Sequence, residues 1–127
     1  MNDLMIGLTG AASAEVTTEN TAVALGSGDV PVFGTPALVG LMEAAAVNAI
    51  ARHLSPDDTT VGAWIEVAHL GATPVGGEVR AEARLVAVEG RKLSFTLVAF
   101  DERQKVGEGR HHRMRVGRDR FLAKLAQ

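Results

Sequence analysis

The sequence predicts an α+β fold in which a curved antiparallel sheet wraps one long central helix. Three features carry that expectation: a nearly unbroken apolar helix from Thr35 to Leu54, strand-like segments after it that alternate in polarity, and tight turns between them. From Pro36 to Ala51 Glu43 is the one ionisable residue and Asn48 the one other strongly polar residue. A helix apolar all round is normally buried in a core. Its nineteen residues from 36 to 54 rise about 28 Å, a length that only a sheet running along it could cover.

The elements follow in order. Residues 1 to 10 read as a loose arm. Ala14 to Thr18 and Thr21 to Leu25 have strand-like composition, with Glu19 and Asn20 between them. Gly26 to Asp29 is a turn or flexible loop, and Val30 to Gly34 leads directly into the helix, where it could shape a pocket mouth. Thr35 is expected as N-cap and Pro36 at the first helical position, where no N–H is needed. Arg52 and His53 favour the C-terminal end of the helix dipole, and Ser55-Pro56 stops it. From about Thr60 to Leu70, Val61, Ala63, Ile65, Val67 and His69 fall on one strand face, placing His69 with the set that faces the helix. Residues 78 to 101 read as a hairpin: Val79, Ala81, Ala83 and Leu85 point inward, Glu89-Gly90-Arg91 turns, and Leu93, Phe95, Leu97 and Ala99 continue the inward set. A last strand, about Lys105 to Val116, carries Gly107 and Gly109 on one face, where backbone or ligand can approach closely. A short basic helix from Arg118 to Ala126 follows.

Composition narrows the function classes. A chain of 127 residues suits a single domain with a real core and leaves no room for a separate cofactor domain. Net charge is −2, which gives no general case for nucleic acid. No apolar run is long enough to span a bilayer, and the N-terminal stretch has Asp3 where a signal peptide needs cations. A cytoplasmic protein without membrane contact is therefore expected. Cysteine is absent, so thiolate catalysis, disulfides and cysteine metal sites are excluded. Six of the 13 basic residues, Arg110, Arg113, Arg115, Arg118, Arg120 and Lys124, lie in the final eighteen positions. They read either as a solvated strand face with a capped helix or as a local phosphate-binding patch. A carrier such as coenzyme A would need two or three of them, and Arg113 and Arg118 are the candidates.

Glu43 is the residue that most needs a reason. Burying an unpaired carboxylate costs several kcal/mol unless it is neutralised, paired or turned toward a polar cleft. A cation from the sheet or from a second subunit would serve, and so would a catalytic role.

The run TPALVGLME at 35 to 43, with VAHLGATP at 67 to 74, VEGR at 88 to 91 and GEGRH at 107 to 111, closely resembles the hotdog-fold thioesterases related to fluoroacetyl-CoA thioesterase. The similarity extends over about residues 13 to 122. It implies a hotdog fold and a dimeric acyl-CoA thioesterase whose catalytic Thr, Glu and His correspond to Thr35, Glu43 and His69. It also places Gly62 near the pocket; Phe33 and Gly34, at the end of the entry loop, are the other substrate-binding candidates. One departure stands out: the family's fluoroacetyl-specific members carry aromatic lid residues, whereas 26 to 32 has none and Phe33 stands alone. Fluoroacetyl specificity is therefore not carried over. A hotdog hydratase is disfavoured because its Asp and His motif on the central helix has no match in TPALVGLME.

In the implied reaction Glu43 activates water or attacks the carbonyl, His69 serves as acid or as partner to Glu43 or Thr35, and Thr35 orients or supplies the nucleophile. No metal or separate cofactor is expected, coenzyme A entering as part of the substrate. Eight residues of helix separate Thr35 from Glu43, about 12 Å of rise. If both act on one thioester they come from different subunits, which favours a homodimer or a dimer of dimers. Each residue also has a structural reading: Thr35 as an N-cap, His69 as a hydrogen-bonded core histidine, Gly62 as relief of crowding. His53, His111 and His112 have no partner at a telling spacing and read as structural. The rival function is a non-catalytic acyl-CoA or small-ligand binding module.

Overall fold

A computed structural model describes residues 4–127, so the first three residues of the expected N-terminal arm lie outside the described residues. The order is β1 (Thr9–Glu15), α1 (Ala22–Leu25), α2 (Thr35–Ile50), a 3-10 turn (Ala51–His53), β2 (Asp58–His69), β3 (Glu78–Glu89), β4 (Lys92–Phe100), β5 (Lys105–Gly117) and α3 (Arg118–Leu125). All strand pairs are antiparallel in one sheet ordered β1-β3-β4-β5-β2. The predicted hairpin is present, with Ala81 opposite Ala99, Ala83 opposite Leu97 and Leu85 opposite Phe95. Those six side chains are buried against Leu38, Met42, Ala45, Ala46, Ala49 and Ile50 of α2. Small residues let the sheet approach the helix. A Cβ on Gly107 of β5 would stand 3.0 Å from Leu38 Cδ2 and 3.1 Å from Met42 Cε, tighter than ordinary van der Waals contact.

Four expectations need correction. Thr21 to Leu25 is helical where a strand was predicted, because Thr21 Oγ1 accepts from the Ala24 amide at 3.2 Å and caps a single turn. That local bond outweighs the weak strand preference of Val23. The first strand is Thr9–Glu15, earlier than predicted, since Thr17 and Asn20 are held in a turn by the bond from Thr17 N to Asn20 Oδ1 at 2.9 Å. The α-helix ends at Ile50 and its last residues tighten into the 3-10 turn. Finally, the sheet does not surround α2. Pro36, Gly40, Ala44, Val47 and Asn48 are exposed along one side, because five strands curl round only part of a helix. Asn48 is satisfied there by donating to the Ala11 carbonyl at 2.8 Å. No helix among the described residues is long and apolar enough to cross a membrane.

Candidate active site

Two polar clusters flank α2. The first is at its N-terminus. Gly34, not Thr35, is the N-cap, with φ −76° and ψ 146°, and makes no side-chain cap bond. Thr35 is therefore the first helical residue, and its hydroxyl is used elsewhere: Thr35 Oγ1 lies 2.7 Å from His69 Nδ1 at the end of β2. Burial lowers the His69 pKa below its usual 6.5, partly offset by a backbone hydrogen bond with Gly71. The ring is accordingly neutral at neutral pH and has one donor and one acceptor nitrogen. With Nδ1 bare it accepts from the Thr35 hydroxyl and sharpens that oxygen as a nucleophile. With Nδ1 protonated it donates, and the Thr35 proton is free for a carbonyl oxygen or a leaving sulfur.

The pair forms one wall of a recess of about 350 Å³ otherwise lined by Ala22, Ser27, Val32, Phe33, Leu70, Gly71 and Ala72. Phe33 is buried, and its amide donates to the Thr73 carbonyl at 2.8 Å, so it is a wall fixed by the core. Gly34 is behind that wall: a Cβ there would meet Leu25 Cδ1 at 3.0 Å and the Ala22 backbone at 3.2 Å.

The second cluster surrounds Glu43, two turns further along α2. A register shift between Gly62 and Trp64 is a β-bulge that reverses the facing of the strand before it. The alternation predicted from Val61 to His69 holds only after the bulge, where Ile65 and Val67 pack on the core. Before it, Gly62 turns to the helix, and a Cβ there would stand 2.7 Å from Glu43 Oε2. Glycine at 62 is thus what leaves room for the carboxylate.

Arg113 answers Glu43. Its Nη1 lies 3.6 Å from Glu43 Oε2, and the side chains are 9% and 40% exposed. It is not on the solvated patch expected from sequence. Its Nε donates to Thr60 Oγ1 at 2.9 Å, its Nη2 to the Thr60 carbonyl at 3.2 Å, and its Nη1 lies 3.1 Å from His111 Nε2. Desolvation lowers the Arg113 pKa and the Glu43 charge pushes it back; an arginine remains cationic through such a change. Arginine can only donate, so His111 Nε2 accepts and Nδ1 carries the proton, donated to the Trp64 carbonyl at 2.8 Å. Burial, opposed by the Trp64 bond and reinforced by Arg113, lowers the His111 pKa.

His111 is therefore the residue that the sequence reading left aside. Its signal was available: it shares strand parity with Gly107, Gly109 and Arg113 on the inward face of β5. Arg118, at the start of α3, is exposed, donates its amide to the Asp57 carbonyl at 2.9 Å, and borders a different recess with Leu54 and Pro56. Within one chain, then, Thr35 and His69 meet, Glu43 and Arg113 meet, and the two pairs stay apart by about 12 Å of helix. No group of three or more His, Asp and Glu residues among the described residues is placed to hold a metal ion.

A profile of the fluoroacetyl-CoA-specific thioesterase family matches residues 16–119. The chain belongs to that family. Fluoroacetyl-CoA thioesterase from Streptantibioticus cattleyicolor is 43% identical over 96 residues, spanning 76% of this chain and 69% of that protein. A solved structure of a fluoroacetyl-CoA thioesterase superposes with a TM-score of 0.91 at 35% identity, covering 99% of this chain and 98% of the other. A hot-dog-like protein from Thermanaerovibrio acidaminovorans shares the fold, with a TM-score of 0.85 at 22% identity over 94% of this chain and 89% of its own. The wrapped helix and five-stranded sheet are thus a hotdog fold, and the family is one of thioester hydrolases.

Proposed function

We propose that this single-domain chain hydrolyses a small acyl-CoA thioester to the free acid and CoA, acting as a homodimer or dimer of dimers. The observation that carries this reading is the 2.7 Å contact between the Thr35 hydroxyl and the His69 imidazole at the wall of a small recess. A hydroxyl held by a neutral imidazole is the arrangement acyl transfer uses to handle protons. The family supplies the substrate class, since its relatives are named for a CoA thioester.

Glu43 supplies the carboxylate. Arg113 lies beside it, and as a carboxylate Glu43 can take a proton from water as the water oxygen bonds to the thioester carbon. Collapse of the tetrahedral adduct breaks the C–S bond, and the departing thiolate takes up the proton that water lost, so that acid and thiol leave and the enzyme is restored. Thr35 and His69 hold the carbonyl and the sulfur during that exchange, helped by the free amides of the first turn of α2.

Because about 12 Å of helix separates Glu43 from Thr35, one thioester receives Thr35 and His69 from one subunit and Glu43 from another. The uncovered side of α2, with Pro36, Gly40, Ala44 and Val47 exposed, and the unpaired edge of β2 give a second copy a surface to cover.

The test is thiol release from short, branched and aromatic acyl-CoAs by wild type and Glu43→Gln, with oligomeric state measured by sedimentation. Turnover of one panel member, lost on Glu43→Gln in a protein that still folds and self-associates, supports the reading. Stabilisation by acyl-CoA without thiol release from any member replaces it with a binding module. A strictly monomeric active form removes the shared site.

A further inference from the structure

Away from both clusters, Arg91, Arg115, Arg120 and Lys124 surround a cleft of about 230 Å³ between the β3-β4 turn, the end of β5 and α3, with Phe121 in its wall. Most other basic side chains near a strand have a carboxylate close by: Arg80 has Glu82, Lys92 has Glu89, Lys105 has Glu108, Arg110 has Glu66 and Arg113 has Glu43. Three of the four in the cleft, Arg91, Arg120 and Lys124, do not share that provision among the described residues, and the fourth shares it weakly. Arg115 Nε stands 3.8 Å from Asp58 Oδ2, too long for a hydrogen bond, and has no hydrogen-bond partner among the described residues. Arg91 spends Nη1 on the Arg115 carbonyl at 3.2 Å. Arg120 and Lys124 form no ion pair among the described residues, and as like charges four apart on α3 they weaken that helix. Four cations with one carboxylate, Asp58, beside them are unfavourable together until an anion enters the cleft.

We propose that this cleft binds the phosphorylated adenosine end of coenzyme A. The inference rests on the thioesterase reading and names the part of the substrate that is not acyl. A phosphate monoester with a diphosphate carries about four negative charges near neutral pH, enough to meet the three cations without an ion pair and the Arg115 Nε that lacks a hydrogen-bond partner. Guanidinium groups engage phosphate oxygens in pairs, and Phe121 offers an aromatic surface to the purine, which inorganic phosphate could not use. Position agrees. Arg115 is two residues along β5 from Arg113, about 7 Å, and Arg113 touches Glu43. A pantetheine arm, much longer than that spacing, links the cleft to the reacting carbon. Of the two cations that the sequence favoured, Arg113 faces Glu43 and Arg118 borders a different recess, so the phosphates are met by the neighbours of Arg118 on the opposite side of α3.

Calorimetric titration with CoA, dephospho-CoA, pantetheine and inorganic phosphate tests this without turnover. Wild type binds CoA at least threefold more tightly than dephospho-CoA and at least tenfold more tightly than pantetheine. The double variant Arg120→Gln/Lys124→Gln weakens CoA at least tenfold and removes the preference over dephospho-CoA, and Arg91→Gln weakens it in the same direction. Arg110→Gln, a charge removal outside the cleft, leaves the CoA affinity within twofold. Equal CoA binding by wild type and the double variant overturns the proposal, as does an inorganic phosphate affinity equal to that for CoA. The two readings separate cleanly. Charge-dependent CoA binding without thiol release sinks the hydrolase and keeps the cleft; hydrolysis whose KM ignores these charges does the reverse.

Discussion

Replacing Gly62 by alanine adds one methyl group at the point where the sheet comes closest to the proposed catalytic carboxylate. The new Cβ would stand 2.7 Å from Glu43 Oε2, against 3.4 Å for ordinary contact. Its other neighbours, Arg113 Nη1 at 3.5 Å and His111 Cε1 at 3.6 Å, are already at ordinary distance. The clash thus falls on Glu43 alone, and relieving it moves the carboxylate by about 0.7 Å, the difference between the two distances. The carboxylate end is flexible, so stability should fall by less than about 1 kcal/mol, as for an ordinary tolerated substitution. Catalysis is less forgiving, because a misplacement of about 1 Å can cost roughly a hundredfold. Gly62→Ala is expected to lower kcat about 10- to 100-fold on the best acyl-CoA, with the melting temperature nearly unchanged. Thiol release and a thermal melt on the same preparation decide it. Full turnover with an undisturbed melt would refute the claim that the bulge at Gly62 exists to place Glu43.

Other expectations follow from the same geometry. Thr35 is the first helical residue and not the cap, so Thr35→Ala should cost less stability than the roughly 1 kcal/mol of a lost N-cap, yet lower kcat at least tenfold; Thr35→Ser, which keeps the hydroxyl, should recover most of that loss in the thiol-release assay. Arg113→Met removes the partner of Glu43 and of three acceptors, Thr60 Oγ1, the Thr60 carbonyl and His111 Nε2. A loss of about 1–3 kcal/mol by chemical denaturation is expected, below the figure for a fully buried pair because the Glu43 side chain is 40% exposed. His111 has a folded pKa depressed below its usual 6.5, so the unfolded chain binds its proton first. Stability from this group is complete above about pH 6.5 and is lost as pH falls toward the folded value; His111→Gln should flatten that slope in melts between pH 7 and about 5. His69 is shifted in the same direction, so kcat/KM should keep its value down to about pH 6.5 and fall on an acid limb below it, one that His69→Gln removes.

Much of the fold was legible because it rests on local pattern. The apolar run from Pro36, the alternation of Val79 to Leu85 and Leu93 to Ala99, and the Glu89-Gly90-Arg91 turn each reflect burial period and backbone geometry, which neighbours in sequence determine. The isolation of Glu43 in an apolar helix likewise marked it as a residue needing a partner. Where reading failed, a contact distant in sequence decided the outcome. Neighbouring residues alone make Thr35 look like a cap, and only the family resemblance paired it with His69, 34 residues on, whose ring is bonded to its hydroxyl. A bulge does not alter composition, so the facing of Gly62 could not be read from alternation alone. Arg113 and Arg115 look alike in a run of basic residues, yet the curl of β5 buries the first against Glu43 and leaves the second beside α3. The sequence by itself determined which segments bury and which residue types are available for chemistry, since burial and propensity act over a few residues. The tertiary structure alone decided which of those residues meet, because only the closed sheet brings β2 and β5 against the helix and sets the distances at which charges and hydroxyls act.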